Sequence, residues 1–217
     1  MNAIAQIRRK ISGEVFDYQV LLDALAGYRK PRDKITRLLA SGAIVRVKKG
    51  LYCLGEAFRK EPLSREYLAN LIYGPSYVSL EYALSYHGLI PERVETVTSA
   101  TTRRSREFDT PFGVFSYRML NAPRYAVGAI LETARKTPFL MASPEKALAD
   151  KVWTDKRFSG FRLSDYDAYL TDDLRVDREA LSRFDHSRLQ VIAKAYDSAK
   201  INRLVRYLKR LKETPHA

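Results

Sequence analysis

A few side chains in this sequence have the chemistry that catalysis needs. A metal-dependent nuclease needs carboxylates and a lysine at one site, and the candidates are Asp109 together with Glu145 and Lys146, which are neighbours in the sequence. Glu145 and Lys146 are neighbours on a predicted helix, however, so their side chains point about 100° apart and cannot line one site. We therefore interpret them as residues that stabilise the start of that helix.

The single cysteine and the three histidines do not indicate a better site. Cys53 lies in a predicted strand, where a small buried apolar side chain is the expected role. His87 follows a helix and can cap its carbonyls, and His186 and His216 have no suitably spaced ligand partners. The chain also lacks P-loop, GxGxxG and HExxH motifs. We expect no enzyme activity, no metal site and no cofactor.

The basic residues between positions 30 and 49 are suited to binding nucleic acid rather than to catalysis. Lysine and arginine neutralise phosphates, and arginine and threonine can also contact base edges. The candidate DNA-binding residues are Lys30, Arg32, Lys34, Thr36, Arg37, Arg46, Lys48 and Lys49.

These candidates lie in a predicted helix followed by a predicted hairpin. Pro31 suits the first helical position, and Ser41-Gly42 suits the end of the helix. The apolar spacing of Ile35, Leu38 and Leu39 leaves a polar outer face. Residues 43–47 and 51–54 are the predicted strands, and the turn between them is Lys48-Lys49-Gly50. This pattern is typical of a winged helix-turn-helix, in which the helix enters the major groove and the wing reaches the phosphates. The alternative is an ordinary solvated surface with an Asp33–Arg37 ion pair.

Two further helices complete the predicted N-terminal domain. Ile4, Ile7 and Ile11 mark the first helix. Asp17 is the predicted N-cap of the second. We expect a winged helix-turn-helix over residues 1–58, a polar connection, and a mixed α/β domain over residues 62–217 with a helical C-terminus. The predicted fold class is α+β.

The second predicted domain alternates helices and strands. Ser79 is a predicted N-cap of a helix that contains Leu80, Ala83 and Leu84, and Ser143-Pro144-Glu145 is a well-formed helix start. The segment Tyr125–Thr133 is ambiguous, and we favour a strand. The other predicted helices cover residues 65–72, 164–169, 178–184, 187–196 and 199–212, and the other predicted strands cover residues 95–102, 107–108, 114–119 and 139–141.

Charge indicates a polyanionic partner. The 217 residues carry a net charge of +13, and residues 1–60 hold 13 Lys and Arg against 5 Asp and Glu. No apolar run approaches the roughly 18 residues of a membrane span, and Arg8-Arg9-Lys10 interrupts any secretory signal. With one cysteine, an internal disulfide is excluded. We expect a cytoplasmic protein that does not bind membranes.

Five segments together resemble the AbiEi-type antitoxins of type IV toxin–antitoxin systems, over nearly the whole chain. The segments are GAIVRVKKGLY (42–52), YVSLEYAL (77–84), the strand into TTRR (101–104), TPFG (110–113) leading to Tyr117, and ASPEKAL (142–148). The resemblance implies a winged helix that represses its own promoter, with inverted repeats in the promoter DNA. It also implies a C-terminal domain that counteracts an adjacent nucleotidyltransferase-like toxin, and it assigns no residue to that neutralisation.

Three alternatives remain open. The protein could be a nucleic-acid-processing enzyme that the winged helix delivers, or a stand-alone transcriptional regulator without a toxin partner. In the third alternative, the winged helix docks on a protein rather than on DNA.

Overall fold

The computed structural model describes residues 2–133 and 136–213, so His216, which was predicted to have no ligand partners, lies outside the described residues. The chain forms two compact units. Unit 1 comprises residues 1–68 and 110–112, and unit 2 comprises residues 69–109 and 113–217. The predicted boundary, between residues 58 and 62, lies before this division. The fold class is α+β with a helical C-terminus, as predicted.

Unit 1 contains three helices and a small antiparallel sheet. Its three strands are ordered β1-β3-β2. The three predicted helices and the hairpin are confirmed, whereas β1 was not predicted because three residues are too few to show a strand period. The elements are α1 Ala3–Lys10, β1 Val15–Asp17, α2 Tyr18–Ala24, α3 Pro31–Ala40, β2 Ile44–Lys48 and β3 Leu51–Leu54.

The apolar face of each helix in unit 1 contributes to one core. Asp17 caps α2 as predicted, with its carboxylate accepting from the Val20 N–H at 2.8 Å. Burying each large aliphatic side chain contributes about 1.5–3 kcal/mol. The core includes Ile7, Leu21, Leu25, Ile35, Leu38, Ile44 and Leu54.

A close backbone approach joins the end of β3 to the entry of β2. The Gly55 N–H donates to the Ala43 carbonyl at 2.9 Å. A Cβ atom at Gly55 would lie 1.9 Å from the Gly42 carbonyl oxygen, which is backbone and cannot rotate away. Position 55 therefore accepts only glycine in this fold.

Within its described residues, unit 2 has a six-stranded mixed sheet and eight α-helices, and a π-helical turn at Tyr169–Asp173 follows α8. The eight include α4, within which the division between the units falls. The strand order is β6-β7-β5-β4-β9-β8. The segments up to α7 are α4 Arg65–Ile72, β4 Ser76–Val78, α5 Leu80–Tyr86, β5 Val97–Thr101, β6 Arg106–Thr110, β7 Gly113–Met119, α6 Ala122–Tyr125, β8 Ala129–Glu132, β9 Phe139–Ala142 and α7 Pro144–Thr154. The remaining helices are α8 Leu163–Ala168, α9 Arg178–Ser182, α10 His186–Tyr196 and α11 Ala199–Glu213.

Parallel and antiparallel pairs alternate through the centre of this sheet. Strand β5 runs parallel to β7, with Val97 opposite Phe115, and antiparallel to β4. Strand β4 runs parallel to β9, which is antiparallel to the edge strand β8. The helices α5 and α7 pack against each other, and this pairing brings the start of α5 to the buried face of α7.

Two local predictions need correction. The strand favoured for Tyr125–Thr133 is confirmed only at Ala129–Glu132, because Tyr125 belongs to α6, which Asn121 caps. Ser79 occupies the N-cap position of α5, but its hydroxyl caps no N–H and instead donates to Asp150 at 2.6 Å. By contrast, Ser143 caps α7 as predicted, accepting from the Lys146 N–H at 3.3 Å. Among the described residues, no helix has both the length and the apolarity needed to span a membrane.

Candidate nucleic-acid interface

The outward face of α3 carries three of the predicted DNA-binding residues. Arg32, Thr36 and Arg37 are exposed, whereas Ile35 and Leu38 on the opposite face are buried. The Thr36 hydroxyl donates to the Arg32 carbonyl at 3.2 Å, as a threonine on an exposed helical face commonly does. The outward face therefore has two guanidinium groups in contact with solvent.

The two lysines at the start of α3 have neighbours of their own. Lys30 Nζ lies 3.9 Å from an Asp33 carboxylate oxygen, and both side chains are mostly exposed. Lys34 is half-buried, and its Nζ lies 5.4 Å from the centre of the Tyr28 ring. A cation held over a ring is restricted in direction, so Lys34 is less available than Lys30 to an external phosphate.

The hairpin of β2 and β3 holds the remaining predicted contacts at or near its tip. Arg46 and Lys49 are exposed and Lys48 is half-buried. The pairing register shifts between Arg46, opposite Tyr52, and Lys48, opposite Leu51. The hairpin tip thus projects a concentrated positive charge from a short, twisted ribbon.

A short connection fixes α3 to the hairpin. The Ala43 N–H donates to the Leu38 carbonyl at 2.9 Å, and the Gly42 N–H donates to the Leu39 carbonyl at 3.1 Å. Ile44 then enters the same core as Ile35. The helix face and the basic hairpin are consequently presented by one rigid segment of unit 1.

The basic end of α1 has a structural role at Arg8. Its guanidinium donates to both carboxylate oxygens of Glu14, at 3.0 and 2.9 Å. Glu14 also accepts from the Lys60 N–H at 3.0 Å. A bidentate pair of this kind, with both side chains mostly buried, ties the chain after β3 to α1.

Cys53 and His87 occupy packed positions. Burial raises the pKa of the Cys53 thiol to about 11, so the thiol is protonated and weakly reactive at neutral pH. His87 ends α5, and its Nε2 lies 2.8 Å from the Ala142 carbonyl in β9 rather than capping carbonyls of its own helix.

A buried ionic network lies in unit 2, at the segments YVSLEYAL and ASPEKAL. Lys146 and Asp150 are one helical turn apart on α7, are fully buried, and approach to 2.7 Å. Lys146 Nζ also donates to the Arg124 carbonyl at 2.8 Å and to the Tyr196 hydroxyl at 2.7 Å. Burial lowers the pKa of Lys146, and the carboxylate of Asp150 opposes that effect.

Three hydroxyl groups complete the shell around Asp150. Ser79 donates to one carboxylate oxygen at 2.6 Å, and Tyr77 donates to the same oxygen at 3.2 Å. Tyr196 donates to the other oxygen. The backbone carbonyl of Tyr196 accepts from the Arg124 guanidinium at 2.9 and 3.0 Å. The network thus surrounds a buried charge pair with three hydroxyl groups and one backbone carbonyl, which come from four segments outside α7.

Glu145 points to different partners from Lys146, as the helical spacing predicted. Its carboxylate accepts from the Ser143 hydroxyl at 2.8 Å and the Asp185 N–H at 3.0 Å, and Arg188 lies 3.2 Å away. Burial opposes ionisation of Glu145, but these hydrogen bonds and Arg188 lower its pKa below the ordinary value. Asp109 is exposed on the edge strand β6. The three residues therefore do not converge as a nuclease site requires.

Sequence reasoning missed Asp150, Tyr196 and Arg124. The spacing of Lys146 and Asp150, four residues apart in a predicted helix, is a usable signal for an ion pair. No local pattern connects Tyr196 or Arg124 to that pair, because 46 and 22 residues separate them from their partners in the chain. Within residues 2–133 and 136–213, no group of three or more His, Cys, Asp and Glu side chains could hold a metal ion.

Comparison with known proteins shows only a distant structural likeness. No protein-family model matches the chain, and no curated protein matches it. Among solved structures, it is similar to the crystal structure of the RV2827C protein from Mycobacterium tuberculosis, at 17% sequence identity and a TM-score of 0.48. The match covers 99% of this chain and 80% of that one. A likeness this distant carries no functional argument.

The buried pair predicts a large, specific loss of stability. Lys146→Met leaves the Asp150 charge buried without its cation, and should lower the free energy of unfolding of unit 2 by about 3–5 kcal/mol. Trp153, the single tryptophan, lies on α7 and reports this unfolding by its fluorescence in urea. The double variant Lys146→Met/Asp150→Asn should lose less than the sum of the two single variants.

The matched control is an exposed ion pair between a residue of α9 and the residue that directly follows this helix. Arg183 and Glu179 are also four residues apart, but both are mostly exposed. Arg183→Met should change the free energy of unfolding by only about 0.5 kcal/mol. Equal losses for Lys146→Met and Arg183→Met would show that the buried pair has no special role.

Proposed function

We propose that this protein is a transcriptional regulator that binds its own promoter DNA through unit 1, and that unit 2 makes it the antitoxin of a type IV toxin–antitoxin system. The observation that carries the DNA-binding half is the arrangement in unit 1. An exposed helical face with Arg32, Thr36 and Arg37 is joined by a short, hydrogen-bonded turn to a basic hairpin.

In this proposal unit 1 works as a winged helix-turn-helix. The helix α3 enters the major groove, where Arg37 reads a base edge and Thr36 lies beside it. The hairpin residues Arg46, Lys48 and Lys49 bind the flanking phosphates, which position the helix without reading sequence. A promoter with inverted repeats would engage two copies of the chain in the cytoplasm.

The antitoxin half rests on the resemblance to AbiEi-type proteins, and the organisation of unit 2 supports a separate role. Unit 2 has its own sheet and its own buried network, so its function need not depend on the hairpin of unit 1. Residues 61–217 hold 25 Lys and Arg against 20 Asp and Glu, a balance that suits a polar partner better than a dedicated duplex surface. The proposed partner is a nucleotidyltransferase-like toxin encoded by the neighbouring gene.

The hairpin prediction concerns salt dependence. Lys48→Ala/Lys49→Ala should weaken binding to every duplex sequence, because two phosphate contacts are lost. The slope of log affinity against log salt should fall by about two. Fluorescence anisotropy with the protein's own promoter, measured over a range of salt concentrations, tests this.

The control for the hairpin variant removes the same charge elsewhere. Lys194 and Lys212 are exposed lysines of α10 and α11, and Lys194→Ala/Lys212→Ala should leave the slope almost unchanged. If the unaltered protein binds its promoter with no salt dependence, the proposed phosphate contacts do not exist.

Arg37 should act on specificity instead. Arg37→Ala should reduce the preference for the promoter over random duplex DNA by about 1–3 kcal/mol, with little change in the affinity for random DNA. Arg32→Ala is the matched variant on the same exposed face, and the comparison assigns the base contact to one guanidinium. An equal loss on promoter and random DNA would assign Arg37 to a phosphate.

The antitoxin half is tested in cells that express the adjacent toxin. The Lys48→Ala/Lys49→Ala variant should still protect these cells, because unit 2 is unaltered, while a promoter reporter is no longer repressed. Lys146→Met should lose protection at temperatures where unit 2 unfolds. Failure of the unaltered full chain to protect would remove the antitoxin half and leave the DNA-binding half standing.

A further inference from the structure

Phe161 is the most exposed large apolar side chain of the described residues, at 74% of its full accessible area. It lies in the loop between α7 and α8, residues 155–162. The nearby Phe158 has the opposite environment, stacked on Tyr169 with ring centres 3.9 Å apart. One phenylalanine therefore anchors the loop to unit 2 while the other points to solvent.

Gly160 fixes the direction of Phe161. Its φ is +60°, and a Cβ atom there would lie 2.4 Å from the Tyr166 hydroxyl. That hydroxyl donates to the Lys200 carbonyl at 2.6 Å, and Arg203 donates to the Gly160 carbonyl at 3.3 Å. The backbone just before Phe161 is thus packed against α8 and α11, while the Phe161 ring itself is exposed.

The charges around Phe161 are positive. Residues 156–162 contain Lys156, Arg157 and Arg162 and no acidic residue, and all three cations are exposed. The flanking acids are already engaged. Asp155 accepts from Lys151 at 3.2 Å and from the Arg157 N–H at 3.0 Å, and Asp165 accepts from the Arg162 N–H at 2.8 Å.

An open groove of about 1040 Å³ begins at the same loop. Lys156 and Arg157 line it at the end of α7. Arg118 and Ser116 of β7 and Thr98 of β5 line its sheet side. Three carboxylates, of Glu81, Glu107 and Asp155, also line the groove, and Lys151 pairs with Glu81 at 2.8 Å. The groove therefore offers cations and hydroxyl groups from the loop that carries Phe161 to the sheet, interspersed with acidic side chains.

We propose that this loop and groove bind single-stranded nucleic acid, with a base stacked on Phe161 and the phosphates held by Lys156, Arg157 and Arg162. An exposed aromatic ring among cations is the arrangement that stacks unpaired bases without reading their sequence. Paired bases cannot use it, because their faces are covered within the duplex. This binding is additional to duplex recognition by unit 1 and does not depend on it.

The experiment measures the affinity of the full chain for fluorescein-labelled U10 and dT10 by anisotropy. All proteins carry Lys48→Ala/Lys49→Ala, so that the hairpin of unit 1 contributes little. Phe161→Leu keeps an apolar side chain but removes the ring, and should weaken binding about ten-fold or more. Phe161→Trp should bind at least as tightly as the parent. Because the side chain is exposed, neither change should alter the thermal unfolding curve measured by far-UV circular dichroism.

Val191→Ala is the matched control. Val191 is another exposed apolar residue, at 56%, on α10, and its loss should leave the affinity for both oligonucleotides unchanged. Arg157→Ala should weaken binding and reduce its salt slope by about 0.7, the value for one phosphate of a single strand. Comparing U10 with dT10 distinguishes an RNA ligand from a DNA ligand.

The proposal is overturned if Phe161→Leu binds as tightly as the parent, or if Val191→Ala loses as much affinity as Phe161→Leu. It is also overturned if no oligonucleotide binding is detected at low salt. None of these results would affect promoter binding by unit 1, which the duplex measurements report separately.

Discussion

The buried ion pair between Lys146 and Asp150 determines how unit 2 packs around α7. Removing two charges from water costs several kcal/mol for each ion, and the cost is offset only when every remaining donor and acceptor finds a partner. Here those partners come from four places: β4, Ser79 just before α5, helix α6, and the end of α10. The buried pair is therefore fully satisfied only when all of these segments are in place, which couples segments that are far apart in the chain.

Unit 1 is organised by a different constraint, the close approach of two backbone segments at Gly42 and Gly55. The end of β3 is held there, and the helices are joined through an apolar core. Charged side chains add contacts at the edges of this core, such as the Arg8–Glu14 pair and the Asp17 cap of α2. Arg32 and Arg37 of α3 and Arg46 of the hairpin are exposed, so replacing any of them removes no buried side chain.

Local patterns predicted most of the elements, because apolar spacing and capping residues act within one helix or one hairpin. They failed where the deciding contact is distant in sequence. Serine is a favoured N-cap residue, but the Ser79 hydroxyl donates to Asp150, 71 residues away, instead of capping α5. Strands β1 and β4 are three residues long and show no period of their own. The candidate interface of α3 and the hairpin was visible in the sequence because it is local, whereas Phe161 was not, since only the packing of Gly160 shows which way the ring points.

Cys53 and Trp153 give the two units separate intrinsic reporters. The thiol is buried in β3 of unit 1 with its pKa raised to about 11, and alkylating reagents attack the thiolate. The thiol can therefore react only when unit 1 opens, and the rate of its labelling under native conditions measures how often that happens. The fluorescence of Trp153 on α7 reports the unfolding of unit 2 in the same sample. Comparing the rate of thiol labelling with the change in tryptophan emission therefore shows whether the two units open together or one at a time.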